Sequence, residues 1–353
     1  MNPFVKSFAL ILLIFSVPSC AGSPDTEPTN GNDTHNLQVP PGRVMALPAK
    51  DIVEALVHAP NLGWHVGGWI AFVDAPGRRV RILASADLKT WEQINIFDRA
   101  GLVFGAVMWN PGDGVALQGS GNRSVLYKTN KGFREFTILK ELPGRYVKII
   151  PETIPKDNGE VGNLILAGSD ENGKASILRI SPNGHIESIA RFPGGAPRHA
   201  ADFINFKNRS FIAGGTEGKG CLYVSDDNAN YHAVDVGEIP NLLSIAFDAA
   251  GNGITVGDNG ECLRSTDGGA TWKPTLTGTE KPLASVVFTD KNIAFVCGRD
   301  GLVMITKDGG VNFEILNSGR REDFIRLQLS PANDGCYALG ANGVIPFFVT
   351  PGK

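Results

Sequence analysis

Two stretches of this chain are copies of one another. Residues 257–272 read GDNGECLRSTDGGATW, and residues 298–313 read GRDGLVMITKDGGVNF. They align without a gap at an offset of 41 residues (298 − 257 = 41). Each copy holds a tight turn, an apolar-rich strand, a second turn built on Asp-Gly-Gly and a closing aromatic. A repeat of about 40 residues with several short strands per unit is the period of a propeller blade.

The second turn has a mechanism. In Ser265-Thr266-Asp267-Gly268-Gly269-Ala270-Thr271-Trp272 the Asp carboxylate can accept hydrogen bonds from backbone N–H groups just after it. Glycine supplies positive φ without steric cost. Ser265 can tie the turn closed, and Trp272 can pack beneath it. The pattern S-x-D-x-G-x-x-W is similar to the Asp-box, or neuraminidase-type (BNR) repeat. That resemblance implies a fold element on the outer edge of a blade rather than an active site. Ser265, Asp267, Gly269 and Trp272, with Thr306, Asp308, Gly310 and Phe313 in the weaker copy, are therefore expected to be structural. Asp267→Ala is expected to cost about 1–3 kcal/mol, as when buried partners are left unsatisfied.

Working outward, the strand before each such turn begins at Leu83, Leu126, Leu178, Leu222, Leu263 and Met304. The turn Gly340-Ala341-Asn342-Gly343 continues the series. About seven repeats result, and the chain is expected to be an all-β propeller over residues 43–353. Blade seven has no sequence left for an outermost strand, so Arg43–Pro48 is expected to return, pair with it and close the ring.

Blades five and six also resemble the seven-bladed propeller family of the photosystem II stability and assembly factor. Val256, Gly257, Gly260, Ser265, Asp267, Gly268, Gly269, Thr271 and Trp272 carry the likeness. Gly298, Gly301, Thr306, Asp308, Gly309 and Gly310 repeat it in the next blade. The resemblance implies a non-enzymatic assembly or binding role, with a protein as partner and no cofactor. It identifies no photosynthetic client.

The N-terminus reads as a targeting segment. Lys6 precedes an apolar run, Phe8–Val17, that is too short to span a bilayer. Val17-Pro18-Ser19-Cys20 resembles a bacterial lipobox, so residues 1–19 are expected to be removed and Cys20 lipidated. Cleavage after Ala21 is the alternative. Residues 20–42 carry almost no apolar side chains and are expected to form a disordered tether. The expected destination is the outer membrane, facing the periplasm or the cell surface.

The formal net charge of −3 disfavours a nucleic-acid partner. The other four cysteines, Cys221, Cys262, Cys297 and Cys336, sit in strand-like runs and read as buried apolar side chains. No two histidines have the spacing of metal ligands. A sialidase needs an arginine cluster, a Tyr nucleophile with a Glu, and an acid–base Asp. The Arg-Ile-Pro element of that family is absent. A carbohydrate-binding or glycoside-hydrolysing propeller, using Trp64, Trp69 or Trp109 as stacking platforms, is the rival reading. The turns that precede the Asp-box strands gather on one face of a propeller. They bring Arg78, Arg79, Arg123, Asp170, Glu171, Glu217, Asp258, Arg299, Asp300 and Asn342 into one ring. This ring is the candidate binding surface of a monomeric scaffold.

Overall fold

The computed structural model describes residues 44–45, 51–59, 68–75, 79–110, 112–152, 162–193, 199–216, 218–341 and 343–349. They form seven antiparallel sheets, and no α-helix occurs among them. The blades span Ile52–Ala100, Leu102–Pro143, Arg145–Ile189, His199–Val234, Leu242–Pro274, Leu283–Leu316 and Phe324–Phe348. Within each, strands follow chain order from first to last. The first strands of successive blades pack side by side, and that of blade one meets that of blade seven. The repeat period thus becomes a closed ring.

The core explains why the middle strands read as continuous apolar runs. In Leu164–Ser169, Leu166 packs toward blade two and its neighbours Ile165 and Ala167 pack toward blade four. Both faces of a blade are covered, so neither needs polar alternation. Seven apolar clusters result, one per blade interface. The four cysteines in the blades are free thiols, three of them buried.

The closing strand differs from the sequence expectation. Val44 and Met45 pair with Glu92 and Trp91, adding a fifth strand to the outer edge of blade one. Arg43 and residues 46–48 lie outside the described residues. Blade seven has three strands among the described residues. Its outermost strand, Gly343–Phe348, is a poor template for another. Val349 N–H donates inward to Asp334 O, so alternation turns Val344, Pro346 and Phe348 outward. Pro346 has no N–H to offer there, which makes the strand a natural edge. The ring closes instead through a bridge between Ile52 and Ala341 and the shared cluster of Val53, Trp69, Trp91 and Leu339.

Candidate functional site

Antiparallel blades place their turns alternately on two ends of the disc. The Asp-boxes, between third and fourth strands, share one end with the turns that join first and second strands. The hairpins between second and third strands share the other end with the blade-to-blade connections.

At the first end the boxes are hydrogen-bonded locks. Ser265 Oγ donates to Asp267 Oδ1 at 2.8 Å and accepts from Gly269 N–H at 2.9 Å. Asp267 accepts from Thr271 N–H and Oγ1, and these bonds hold its carboxyl down at about 2. Thr306 and Asp308 repeat the arrangement with Gly310, Val311 and Asn312. Trp272 is buried and donates to Gly269 O, and Phe313 packs against the core between blades five and six. Gly269 has φ +84°, and a Cβ there would lie 2.5 Å from Phe211 of blade four. The turns of blades one and four lack glycine yet form the same lock on Asp87 and Asp227. Each is one residue shorter and uses a single left-handed residue, Leu88 or Asn228, where blade five uses Gly268 and Gly269.

At the hairpin end, Arg79 and Arg123 are exposed at the starts of their strands. Asp300 is exposed, 3.2 Å from Lys281, and its N–H donates to Asp323. Arg299 is half-buried. Asp258 is only 7 % exposed, folded into a 3-10 turn over Asp258–Gly260. Burial raises its carboxyl, against the opposing pull of the Asn241 side chain and Arg299. Its carboxylate takes the Asn241 side-chain N–H at 3.5 Å rather than presenting a free charge. Arg78, Glu217, Asn342 and the lipidation candidate Cys20 lie outside the described residues.

The same end holds a polar cluster that the turn-based reading missed. Every first strand carries a register shift near its start, at Val53/Ala55, Val103/Gly105, Tyr146/Lys148, Ala200/Asp202, Leu242/Ser244, Leu283/Ser285 and Phe324/Arg326. A bulge re-aims side chains and leaves backbone groups unpaired. Side chains of the preceding blade satisfy several of them. Ser244 Oγ and Ile245 N–H donate to Asp202, Val286 N–H to Ser244 Oγ, and Leu327 N–H to Ser285 Oγ. Glu54 accepts from Val103 N–H at 2.7 Å.

Cations complete the cluster. Lys148 Nζ lies 2.7 Å from Asp202. Arg326 of blade seven donates to Phe104 O of blade two, passing blade one. Arg145 sits 5.4 Å over the Phe104 ring. His199 is pushed down by burial and then by Arg145. Burial lifts Glu54 to about 8, with Asp74 adding to the rise; the Val103 bond and Arg326 oppose it. The inner wall at this end is thus charged, hydrogen-bonded and fixed. Among the described residues no three His, Cys, Asp or Glu side chains are grouped to hold a metal ion.

Fold and turns define a seven-bladed Asp-box propeller. Residues 222–322, from the third strand of blade four to the connection that precedes blade seven, match the family described as photosynthesis system II assembly factor YCF48. The solved structure of YCF48 bound to a D1 peptide is similar over 90 % of this chain and all of that one, with a TM-score of 0.63 and 12 % identity. YCF48 from Cyanidioschyzon merolae is similar over 87 % of this chain and 98 % of that one, with a TM-score of 0.60 and 11 % identity. At such identities the likeness is one of fold. No curated protein matches the chain.

Proposed function

We propose that this chain is a non-enzymatic scaffold that binds another protein during assembly of an envelope or membrane complex. Lipid on Cys20 anchors it to the outer membrane, and residues 20–42 hold the propeller clear of the headgroups. The observation that carries the reading is the match of residues 222–322 to the YCF48 family, joined to a fold likeness over 90 % of the chain to a YCF48 bound to a D1 peptide. The hairpin end suits the task, because its charged side chains sit on a rigid, hydrogen-bonded frame and need little ordering on contact. Tethering raises the local concentration of such a surface toward membrane-bound partners.

The glycan reading loses one of its platforms. Trp69 is 5 % exposed and held edge-on between His58 and Tyr337. Trp109 is half-buried against the cluster between blades two and three. Trp64 lies outside the described residues. Affinity purification of the tagged full chain from solubilised envelopes tests the scaffold reading, with a glycan array and a fluorogenic sialoside in parallel. A reproducible, near-stoichiometric protein partner is expected. Glycan binding or turnover with no protein partner would overturn it.

A further inference from the structure

On the outer rim, where blade five meets blade six, a cleft of about 300 Å³ opens beside Arg264, Lys273, Thr275 and Val311. The box of blade six anchors it. Arg264 Nε donates to Gly309 O at 2.6 Å, and Thr275 Oγ1 donates to Gly310 O at 2.9 Å. These bonds use one nitrogen of Arg264. Its terminal nitrogens and the Lys273 ammonium have no acceptor or counter-ion among the described residues. Asp267 in the adjoining turn does not fill that role, since its oxygens take Ser265 Oγ, Thr271 N–H and Thr271 Oγ1.

Three exposed apolar side chains lie in, or close in sequence to, the segments that line this cleft. Leu276 is 91 % exposed, Ile315 65 % and Val311 50 %; they are the three most exposed large apolar residues described. All three belong to this seam: Val311 lines the cleft, Leu276 follows Thr275, and Ile315 lies on the outer strand of blade six. Exposed apolar groups beside a cleft that carries unpaired cations mark an interaction site more than isolated ones do. Strand addition is not how it would be read. Thr275 N–H donates inward to Cys262 O, which turns Pro274 outward, and proline has no N–H for an incoming strand.

We propose that this rim docks a segment of a partner protein in which aliphatic side chains alternate with carboxylates. The aliphatic groups cover Leu276, Val311 and Ile315, and the carboxylates meet Lys273 and the free end of Arg264. The proposal rests on the scaffold reading and gives it a second surface, remote from the hairpin end.

The test uses the full chain in detergent and a fluorescein-labelled peptide, Ser-Glu-Leu-Asp-Ile-Glu-Ser, followed by anisotropy. Its counterpart carries Lys at each acidic position. The acidic peptide is expected to bind at least about tenfold more tightly than the basic one, as charge complementarity requires. Lys273→Glu and Leu276→Asp, both exposed and checked for unchanged melting, should each weaken it about tenfold. Arg299→Glu, at the hairpin end, should leave it unchanged. Equal affinity for both peptides, indifference to the rim substitutions, or no binding up to about 1 mM would overturn the proposal. Co-purification separates its failure from that of the scaffold reading. A partner retained by the Lys273→Glu/Leu276→Asp chain removes the rim site alone, whereas no partner on the parent chain removes both.

Discussion

Glu54 should make this propeller lose stability as the solution turns from acid to neutral. Its carboxyl stands at about 8 rather than the ordinary 4.5, chiefly because burial disfavours the anion. The folded chain therefore keeps a proton that the unfolded chain releases. The contribution is fully present below pH 4.5 and is lost as pH rises toward 8. Within that window the slope is about −1.4 kcal/mol per pH unit, one bound proton's worth. Between pH 5.5 and 7.5 the loss is about 2.7 kcal/mol, and the whole window would give at most about 5. Glu54→Gln keeps the shape and an acceptor for Val103 N–H but cannot ionise. Urea melts of parent and variant at half-unit steps of pH read the difference. His58 and His199, both lowered, and the ionised box carboxylates cancel in that difference. The variant should overtake the parent as pH rises, with the gap growing at the stated slope. Parallel pH profiles, or a gap that widens toward acid, would show that Glu54 does not hold its proton in the folded chain.

Other substitutions test the boxes and the anchor. Ser265→Ala should cost about 1–3 kcal/mol, because it strands the buried Gly269 N–H, whereas Asp267→Ala should cost about 1, the low end of the range expected from sequence, because the residue and its Thr271 bonds are exposed; equal losses in chemical denaturation would contradict the ranking. Gly269→Ala should cost about 2–4 kcal/mol through its left-handed backbone and the Phe211 contact, and Gly278→Ala, with open space around it, about 1. Thermal melts of the two side by side decide this. Cys20→Ser should move the protein from the detergent phase to the aqueous phase or leave it unprocessed; unchanged partitioning would count against the lipid anchor.

The architecture was legible because its turns are chemical. Asp267 and Asp308 fix hairpins by local bonds that depend on residue type and spacing alone, and their period then counts the blades. The inner polar cluster follows the same period: Asp202, Ser244, Ser285 and Arg326 are spaced by 42, 41 and 41 (244 − 202, 285 − 244, 326 − 285). That register was available in the sequence. It was hidden because a single polar residue in a strand reads as ordinary alternation, and only the bulge turns it toward the next blade. Glu54, within IVEALVHA, gave no sign that its acceptor duty lay in blade two. The closing strand was misread for a similar reason. Which way Pro346 faces depends on strand alternation set by Val349, and a proline's presence alone does not show it. Asp258 reads as a surface charge in the sequence, but the 3-10 turn buries it beside Asn241.

The proposed function requires that the hairpin end meets a protein. A photo-crosslinking residue at Arg299, in the full chain in its native envelope, tests it most directly. One dominant protein should be captured, and its capture should be lost when unlabelled parent chain is supplied in excess. Absence of any captured protein, together with tight binding or hydrolysis of a glycan by the purified chain, would contradict it.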